Sequence, residues 1–217
     1  MEFNWKITLQ NSDLLIQGVI MTFQIILIAL IVGIILGCVI CAARLSKFNI
    51  LAKIAAGYIL FFRSTPEMIL IFWGYFCIPM IFEIRVSGLW TGSITLGLVT
   101  AAYLAEIFRA GFNSVPVGQI EAASALGLKF FPKWRFIIAP QLLRIMIPPM
   151  FNYFTELVKN TSLLSGIGVA ELALQAYLLG GQTFRYVEFL SAIAVLYFLL
   201  IFPLSFISRK LELKGGQ

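Results

Sequence analysis

Residues 14–43 form a stretch without a single charged side chain, and this stretch restricts the folds open to the chain. A helix needs about 20 consecutive apolar residues to cross the hydrocarbon core of a bilayer. The stretch is longer than that and no small-residue cleavage pattern follows it, so we expect it to be retained as a spanning helix. Over the whole chain 60% of residues are hydrophobic and 12% are charged, about half the charged share of soluble domains. The sequence therefore predicts an all-α integral membrane protein.

Further apolar runs, bounded by charged residues or turns, predict five transmembrane helices in one domain covering residues 1–217. The predicted spans are residues 14–43, 54–82, 92–110, 145–169 and 189–207. The second run is interrupted by Arg63-Ser64-Thr65-Pro66-Glu67, where proline removes a backbone donor and two charges lie at membrane depth. We expect a broken helix there. Residues 111–144 are too basic and too rich in turn residues to span.

Basic residues are distributed unevenly between the two sides of the predicted bundle. One side collects those that follow the first and fifth spans and those around the 111–144 connection, whereas the other has only Lys6, Arg85 and Arg185. Because lysine and arginine favour the cytoplasmic side, we expect the amino terminus outside and the carboxy terminus in the cytoplasm. In a membrane protein the positions of the basic residues matter more than the net charge of +6. We therefore expect no nucleic-acid partner.

The residue types needed for most catalytic sites are missing from the sequence. The chain has no histidine, and its three cysteines lie in apolar runs, where packing or lipid contact explains them. It also lacks paired aspartates and any cysteine with a base partner. We expect no catalytic residue and no metal site. A passive channel or a membrane scaffold protein is therefore one open interpretation of this chain.

The connection between the third and fourth spans predicts two short helices. Pro116 and Gly118 indicate a turn, and residues 119–126 favour a helix with Glu121 in its first turn, where the helix dipole stabilises an acid. Gly127 suits the end of that helix. A second helix is expected over residues 131–138, ended by Pro140. By physics alone, such a segment is typical of an amphipathic anchor on lipid head groups.

Four segments, in order along the chain, resemble motifs of one family. Gly118-Gln119-Ile120-Glu121-Ala122-Ala123-Ser124-Ala125-Leu126-Gly127, followed by Ala139-Pro140-Gln141, resembles the EAA coupling loop of permease subunits in bacterial binding-protein-dependent ABC importers. Three segments resemble motifs of the polar amino acid branch: Phe62-Arg63-Ser64-Thr65-Pro66, Tyr103-Leu104-Ala105-Glu106-Ile107-Phe108-Arg109-Ala110-Gly111 and Lys159-Asn160-Thr161-Ser162-Leu163. Ser64 and Asn160 depart from the branch pattern. The resemblance covers nearly the whole chain.

The resemblance implies a transport subunit of the cytoplasmic (inner) membrane that moves polar amino acids or close analogues inward. Its implied partners are two cytoplasmic ATPases, a second permease copy or paralogue, and an extracytoplasmic solute-binding protein. The coupling loop, about residues 115–140, would bind the ATPase through Glu121, Ala122, Ala123 and Gly127. The chain has no Gly-Lys dipeptide and so no phosphate-binding loop of its own. We therefore expect ATP and Mg²⁺ to be bound by the partner, and no cofactor in this chain.

Three acids at membrane depth each have a basic residue three or four positions away: Glu67 with Arg63, Glu106 with Arg109, and Glu156 with Lys159. This spacing predicts intrahelical ion pairs, which make buried charges tolerable. Alternatively these residues bind a zwitterion, with Arg63, Ser64 and Thr65 supplying donors to its carboxylate and Glu67 or Glu106 facing its ammonium. An acid at position 67 resembles the histidine, lysine and arginine group, whereas residues 71–79 resemble the glutamate and aspartate group. The side chain of the substrate stays open.

Overall fold

The computed structural model describes the backbone of residues 4–215, and in this part every regular element is helical. The helices are α1 (Lys6–Gln10), α2 (Ser12–Arg44), α3 (Asn49–Ser64), α4 (Glu67–Phe72), α5 (Ile78–Phe82), α6 (Gly88–Asn113), α7 (Val117–Ala125), α8 (Phe130–Lys133), α9 (Ala139–Asn160), α10 (Leu172–Thr183) and α11 (Tyr186–Gly215). Two π-helical turns, Trp73–Cys77 and Trp134–Ile138, and a 3₁₀ segment, Thr161–Ile167, connect some of them. The all-α prediction is confirmed for the described residues.

Three of these helices are long and apolar enough to cross a membrane alone: Ser12–Arg44, Gly88–Asn113 and Tyr186–Leu211. They contain the first, third and fifth predicted spans. Two bent helix pairs could each form one further span, so the described residues contain three to five spans.

The predicted break in the second span is confirmed. Helix α3 ends at Ser64, α4 begins at Glu67, and the two parts of this pair are bent by 104°. Thr65 has an extended backbone because a residue before proline avoids the helical region. Its hydroxyl donates to the carbonyl of Phe61 at 2.8 Å, so the broken helix end keeps a polar partner.

The fourth predicted span differs from the structure in both its limits and its shape. The chain is helical from Phe130 onward because Pro140 does not end a helix: it lies in the first turn of α9, directly after the π-helical turn. Such a turn shifts the backbone hydrogen-bond register, which accommodates the missing proline donor. Beyond α9 the chain bends by 50° and continues into α10, an element that the sequence did not predict.

Close packing of α2 on α6 forms the centre of the molecule. A Cβ atom at Gly33 would lie 2.3 Å from Thr100, and one at Gly97 would lie 2.7 Å from Val32. Small residues let two helix backbones approach, which is how helices associate without a hydrophobic driving force in lipid. The position of α2 relative to α6 is therefore fixed by this packing, and so are the positions of the charged residues near the ends of these two helices.

Candidate functional site

Helix α7 carries the predicted coupling residues, and the structure divides them into exposed and buried positions. Glu121 and Ala122 are exposed, whereas Ala123 is buried. Because α7 begins at Val117, two residues earlier than predicted, Glu121 lies in its second turn and not in its first. The helix dipole therefore does little to hold Glu121, and its carboxylate is free to contact a partner.

Gly127 ends this helix by a backbone conformation that favours glycine. Its φ is +70°. Its N–H donates to the carbonyl of Ser124 at 3.0 Å, and the N–H of Leu128 donates to the carbonyl of Ala123 at 3.1 Å. These two bonds form a Schellman motif, which satisfies carbonyls at a helix end. A Cβ atom here would meet nothing within 4 Å, so the requirement for glycine is conformational and not steric.

Two side-chain hydrogen bonds connect α7 to the helical run that becomes α9. Gln141 donates to Gln119 at 2.6 Å and to the carbonyl of Ile137 at 2.8 Å. Lys133 donates to the hydroxyl of Ser124 at 2.7 Å. Gln119 and Gln141 both lie in the motif quoted above, but their contact joins positions 22 residues apart and no local spacing predicts it. A displacement of α7 would reach α9 through these bonds.

A line of aromatic and charged side chains links α3, α6 and α9. The guanidinium of Arg63 lies over the Tyr103 ring, 5.1 Å from its centroid, as expected for a cation–π contact. Tyr103 stacks on Tyr153 with ring centroids 4.7 Å apart. Tyr153 donates to the Thr100 hydroxyl at 3.1 Å, which fixes the stack against α6. Sequence reasoning missed Tyr153, since nothing local to it indicates this neighbour.

Glu67 does not pair with Arg63, so that predicted ion pair is wrong. The 104° bend at Thr65-Pro66 takes the two residues off a common helix face. Instead, Oε2 of Glu67 is buried and has no hydrogen-bond partner among the described residues. Its electrostatic neighbours are another acid, Glu156, and Tyr153. The structure thus holds an unpartnered carboxylate oxygen beside a second carboxylate.

The other two predicted ion pairs form. Arg109 donates three bonds to Glu106, the shortest at 2.6 Å, and both side chains are partly exposed. Lys159 donates to Glu156 at 3.1 Å, but both side chains are more than half exposed. The first pair is therefore partly covered by the bundle, and the second lies on the surface of the isolated chain.

A cavity of about 450 Å³ opens between α2, α3 and α6. Its charged and polar lining residues are Arg44, Arg63, Ser64, Tyr103, Glu106 and Arg109. It brings together three of the predicted pathway residues, Arg63, Ser64 and Glu106. Thr65 lines a different, apolar cavity, and Glu67, Glu156 and Lys159 line neither. The cavity thus contains three arginines and one acid, whereas Glu67 and the Glu156–Lys159 pair lie outside it.

Two further buried acids were not predicted. Glu171 is fully buried and caps α10, accepting from the N–H groups of Ala173 and Leu174 at 2.9 and 2.8 Å and from the Tyr197 hydroxyl at 2.9 Å. Glu188 is buried and accepts from Arg185 at 3.0 Å. An acid just before an apolar run is a helix-start signal that could have identified Glu171. Both acids are saturated with partners and serve the fold.

Comparison with known proteins agrees with this geometry. Residues 29–214 match the family model described as binding-protein-dependent transport system inner membrane component. The chain is 30% identical to the arginine transport system permease protein ArtQ of Bacillus subtilis (strain 168), over 99% of this chain and 98% of that protein. It is 36% identical to the glutamine transport system permease protein GlnP of Escherichia coli (strain K12), over 98% and 97%. A chain in the crystal structure of an amino acid ABC transporter with histidines superposes with a TM-score of 0.87 at 30% identity, covering 99% of this chain and 100% of that one.

A bundle of spanning helices with charged residues inside it and a short helix outside it defines a membrane transport subunit. The chain belongs to the family of binding-protein-dependent transport system inner membrane components. It is thus a multi-pass protein of the inner membrane. Membership implies a solute-binding protein and an ATPase as partners.

Proposed function

We propose that this chain is the permease subunit of an ATP-driven importer for amino acids or close analogues, with residues 1–217 forming one transmembrane domain. Relatives named as arginine and glutamine permeases, alignable over nearly their whole length, support the substrate class. The proposal does not specify the side chain of the substrate, because one of these relatives is named for arginine and the other for glutamine.

The observation that carries the proposal is the separation of charge across the Tyr103–Tyr153 stack. Arg63 lies at one end of the stack and makes no ion pair with any described residue. Glu67, with its unpartnered buried oxygen, lies near the other end. A lone charge at membrane depth costs about 2.5 to 3.5 kcal/mol even on the lenient insertion scale, so a ligand cation beside Glu67 is favoured. Arg63 is exposed in its cavity and is accessible to a ligand anion. The carboxylate of an amino acid would meet Arg63 and its ammonium would meet Glu67 at successive points of the pathway, because the two groups share one carbon and do not span the tyrosine stack together.

The coupling part of the proposal follows from α7. The exposed Glu121 and Ala122 would contact the ATPase, while Ala123 packs against the body of the permease and Gly127 sets the exit of the chain from the helix. The amino terminus would lie outside, with α7 and the carboxy terminus in the cytoplasm, where ATP is available. ATP and Mg²⁺ would bind to two partner ATPases. Closure of these ATPases would move α9 through Gln119, Gln141, Ser124 and Lys133, in the manner of alternating access.

Uptake into proteoliposomes tests the substrate class. The permease, reconstituted with its ATPase and its solute-binding protein, should accumulate a labelled amino acid only when ATP is inside the vesicles and the binding protein is outside. Cationic, acidic and neutral polar amino acids should be compared at equal concentration, with a sugar as the negative control. Uptake that needs neither ATP nor the binding protein would favour a passive channel. ATP-driven uptake of the sugar alone would contradict the amino acid assignment.

We further expect two permease chains in each complex. The charged pair Glu156–Lys159 is more than half exposed on α9 although it lies in a spanning segment, and lipid contact would be costly for both charges. A facing subunit removes them from lipid and completes the pathway. Native mass measurement of the detergent-purified complex should give two permease copies, or one copy and one paralogue. A single permease chain per active complex would refute the expectation.

A further inference from the structure

A second cavity, of about 440 Å³, lies where the ends of α2 and α6 meet the start of α9. Its walls carry almost no polar surface, and Cys38, Phe108, Phe112, Trp134 and Met146 contribute to them. The volume lies in the range of ligand pockets, about 300 to 1,000 Å³. The cavity is separate from the polar cavity beside α3 and from the exposed face of α7.

The cavity opens on the outer surface of the helix bundle. Leu45 and Leu143 line it and are themselves exposed. The neighbouring outer surface of α2 is also apolar, with Ile35 and Val39 exposed. Because α2 is long and apolar enough to span a membrane, lipid acyl chains would lie in front of this opening.

Three exposed basic residues lie one or two positions after lining residues of the cavity. Lys47 follows Leu45 by two positions, Arg144 follows Leu143, and Arg135 follows Trp134. All three basic side chains are exposed, and none forms an ion pair with a described residue. The guanidinium of Arg135 lies 5.8 Å from the centroid of the Phe136 ring, which is also exposed. Basic pockets between spanning helices are suited to anionic lipid head groups, and tryptophan is suited to the head-group level.

We propose that this cavity holds one acyl chain of an anionic phospholipid, whose phosphate is bound by Arg135 together with Lys47 and Arg144. The apolar walls suit the acyl chain of the lipid. The three basic residues that have no ion pair among the described residues suit the negative charge of its phosphate. Trp134 and Met146 belong to the helical run that leads from α8 into α9, whereas Cys38 and Phe108 belong to α2 and α6. The lipid therefore supports the junction at which the α7–α8 segment joins the bundle.

Quenching of Trp134 by brominated lipid tests the proposal on the full chain. Trp5, Trp73 and Trp90 are replaced by phenylalanine, which leaves Trp134 as the single tryptophan. The protein is placed in bilayers of phosphatidylglycerol and phosphatidylcholine of one fixed composition, in which either the anionic or the zwitterionic lipid carries bromine on its acyl chains. Brominated phosphatidylglycerol should bind near Trp134 about fivefold more strongly than brominated phosphatidylcholine, as expected for one or more basic contacts.

Two variants and one control separate the parts of the site. Arg135→Gln should reduce the preference for phosphatidylglycerol severalfold, and Ala42→Phe, which fills the cavity, should weaken quenching by both lipids. A chain that keeps only Trp90, near the opposite end of α6, should be quenched equally by the two lipids. Equal quenching of Trp134, or an unchanged preference in Arg135→Gln, would overturn the proposal. So would loss of the preference when the partner ATPase binds, since the surface would then belong to that interface.

Discussion

Gly127→Val is expected to lower transport at least tenfold while the permease still inserts into the membrane at its normal level. Gly127 has a φ of +70°, and its surroundings are open, so the whole penalty comes from the backbone. A left-handed conformation costs an ordinary L residue roughly 1 to 2 kcal/mol, and a β-branched residue resists it most. Valine would therefore favour a different exit from α7 and break the bond from Leu128 to Ala123. The surface presented to the ATPase would then be misplaced.

Gly127→Asn is the matched control, because asparagine tolerates the left-handed conformation but also adds a side chain. It should keep most of the transport activity if conformation is what matters. Three quantities should be measured for each variant: amino acid uptake, ATPase retained on the purified permease, and membrane-inserted yield. Equal loss in both variants would show that the exposed space beside Gly127 matters more than its φ. Normal coupling in Gly127→Val would remove Gly127 from the coupling assignment.

The length and polarity of the apolar runs predicted most of the fold. The bilayer imposes one strong rule, a run of about 20 apolar residues per span, and residues 14–43, 92–110 and 189–207 satisfy it in single helices. The break at Pro66 was equally predictable because proline removes a donor at a fixed position. Helix α10 was missed, although Glu171, whose side chain caps its first N–H groups, is a helix-start signal that the sequence contains.

The candidate site was predictable only where its contacts are local. The spacing of Glu106 and Arg109 within one helix gave the correct pair. The same rule failed for Arg63 and Glu67, because the proline between them ends the helix on which the rule depends. The Tyr103–Tyr153 stack joins α6 to α9, and such contacts arise from tertiary packing that one sequence does not contain. Most of the contacts that support a zwitterion pathway join different helices in this way.

Glu67→Gln should reduce transport about ten- to hundredfold without lowering the amount of folded permease. A charge-assisted hydrogen bond contributes about 1.5 to 3 kcal/mol, which corresponds to that change in apparent affinity. If Glu67 neutralised Arg63, the same change would leave Arg63 unpaired at membrane depth and lower the inserted yield. The structure removes this second possibility, since Arg63 lies over Tyr103 and Oε2 of Glu67 is buried without a hydrogen-bond partner among the described residues.

Glu67→Gln replaces a buried carboxylate that has an unpartnered oxygen by a neutral group, so the inserted yield of this variant should equal or exceed that of the unmodified chain. Uptake and inserted yield should be measured on the same vesicles. Glu83→Gln is the matched control, because Glu83 is an exposed acid in the connection before α6 and should leave both quantities unchanged. A fall in yield that accounts for the whole loss of uptake would give Glu67 a structural role. Normal uptake at normal yield would show that transport does not need the Glu67 carboxylate. Among the described residues this is the only acid with an unpartnered buried oxygen, so the proposed contact with a substrate cation would then be wrong.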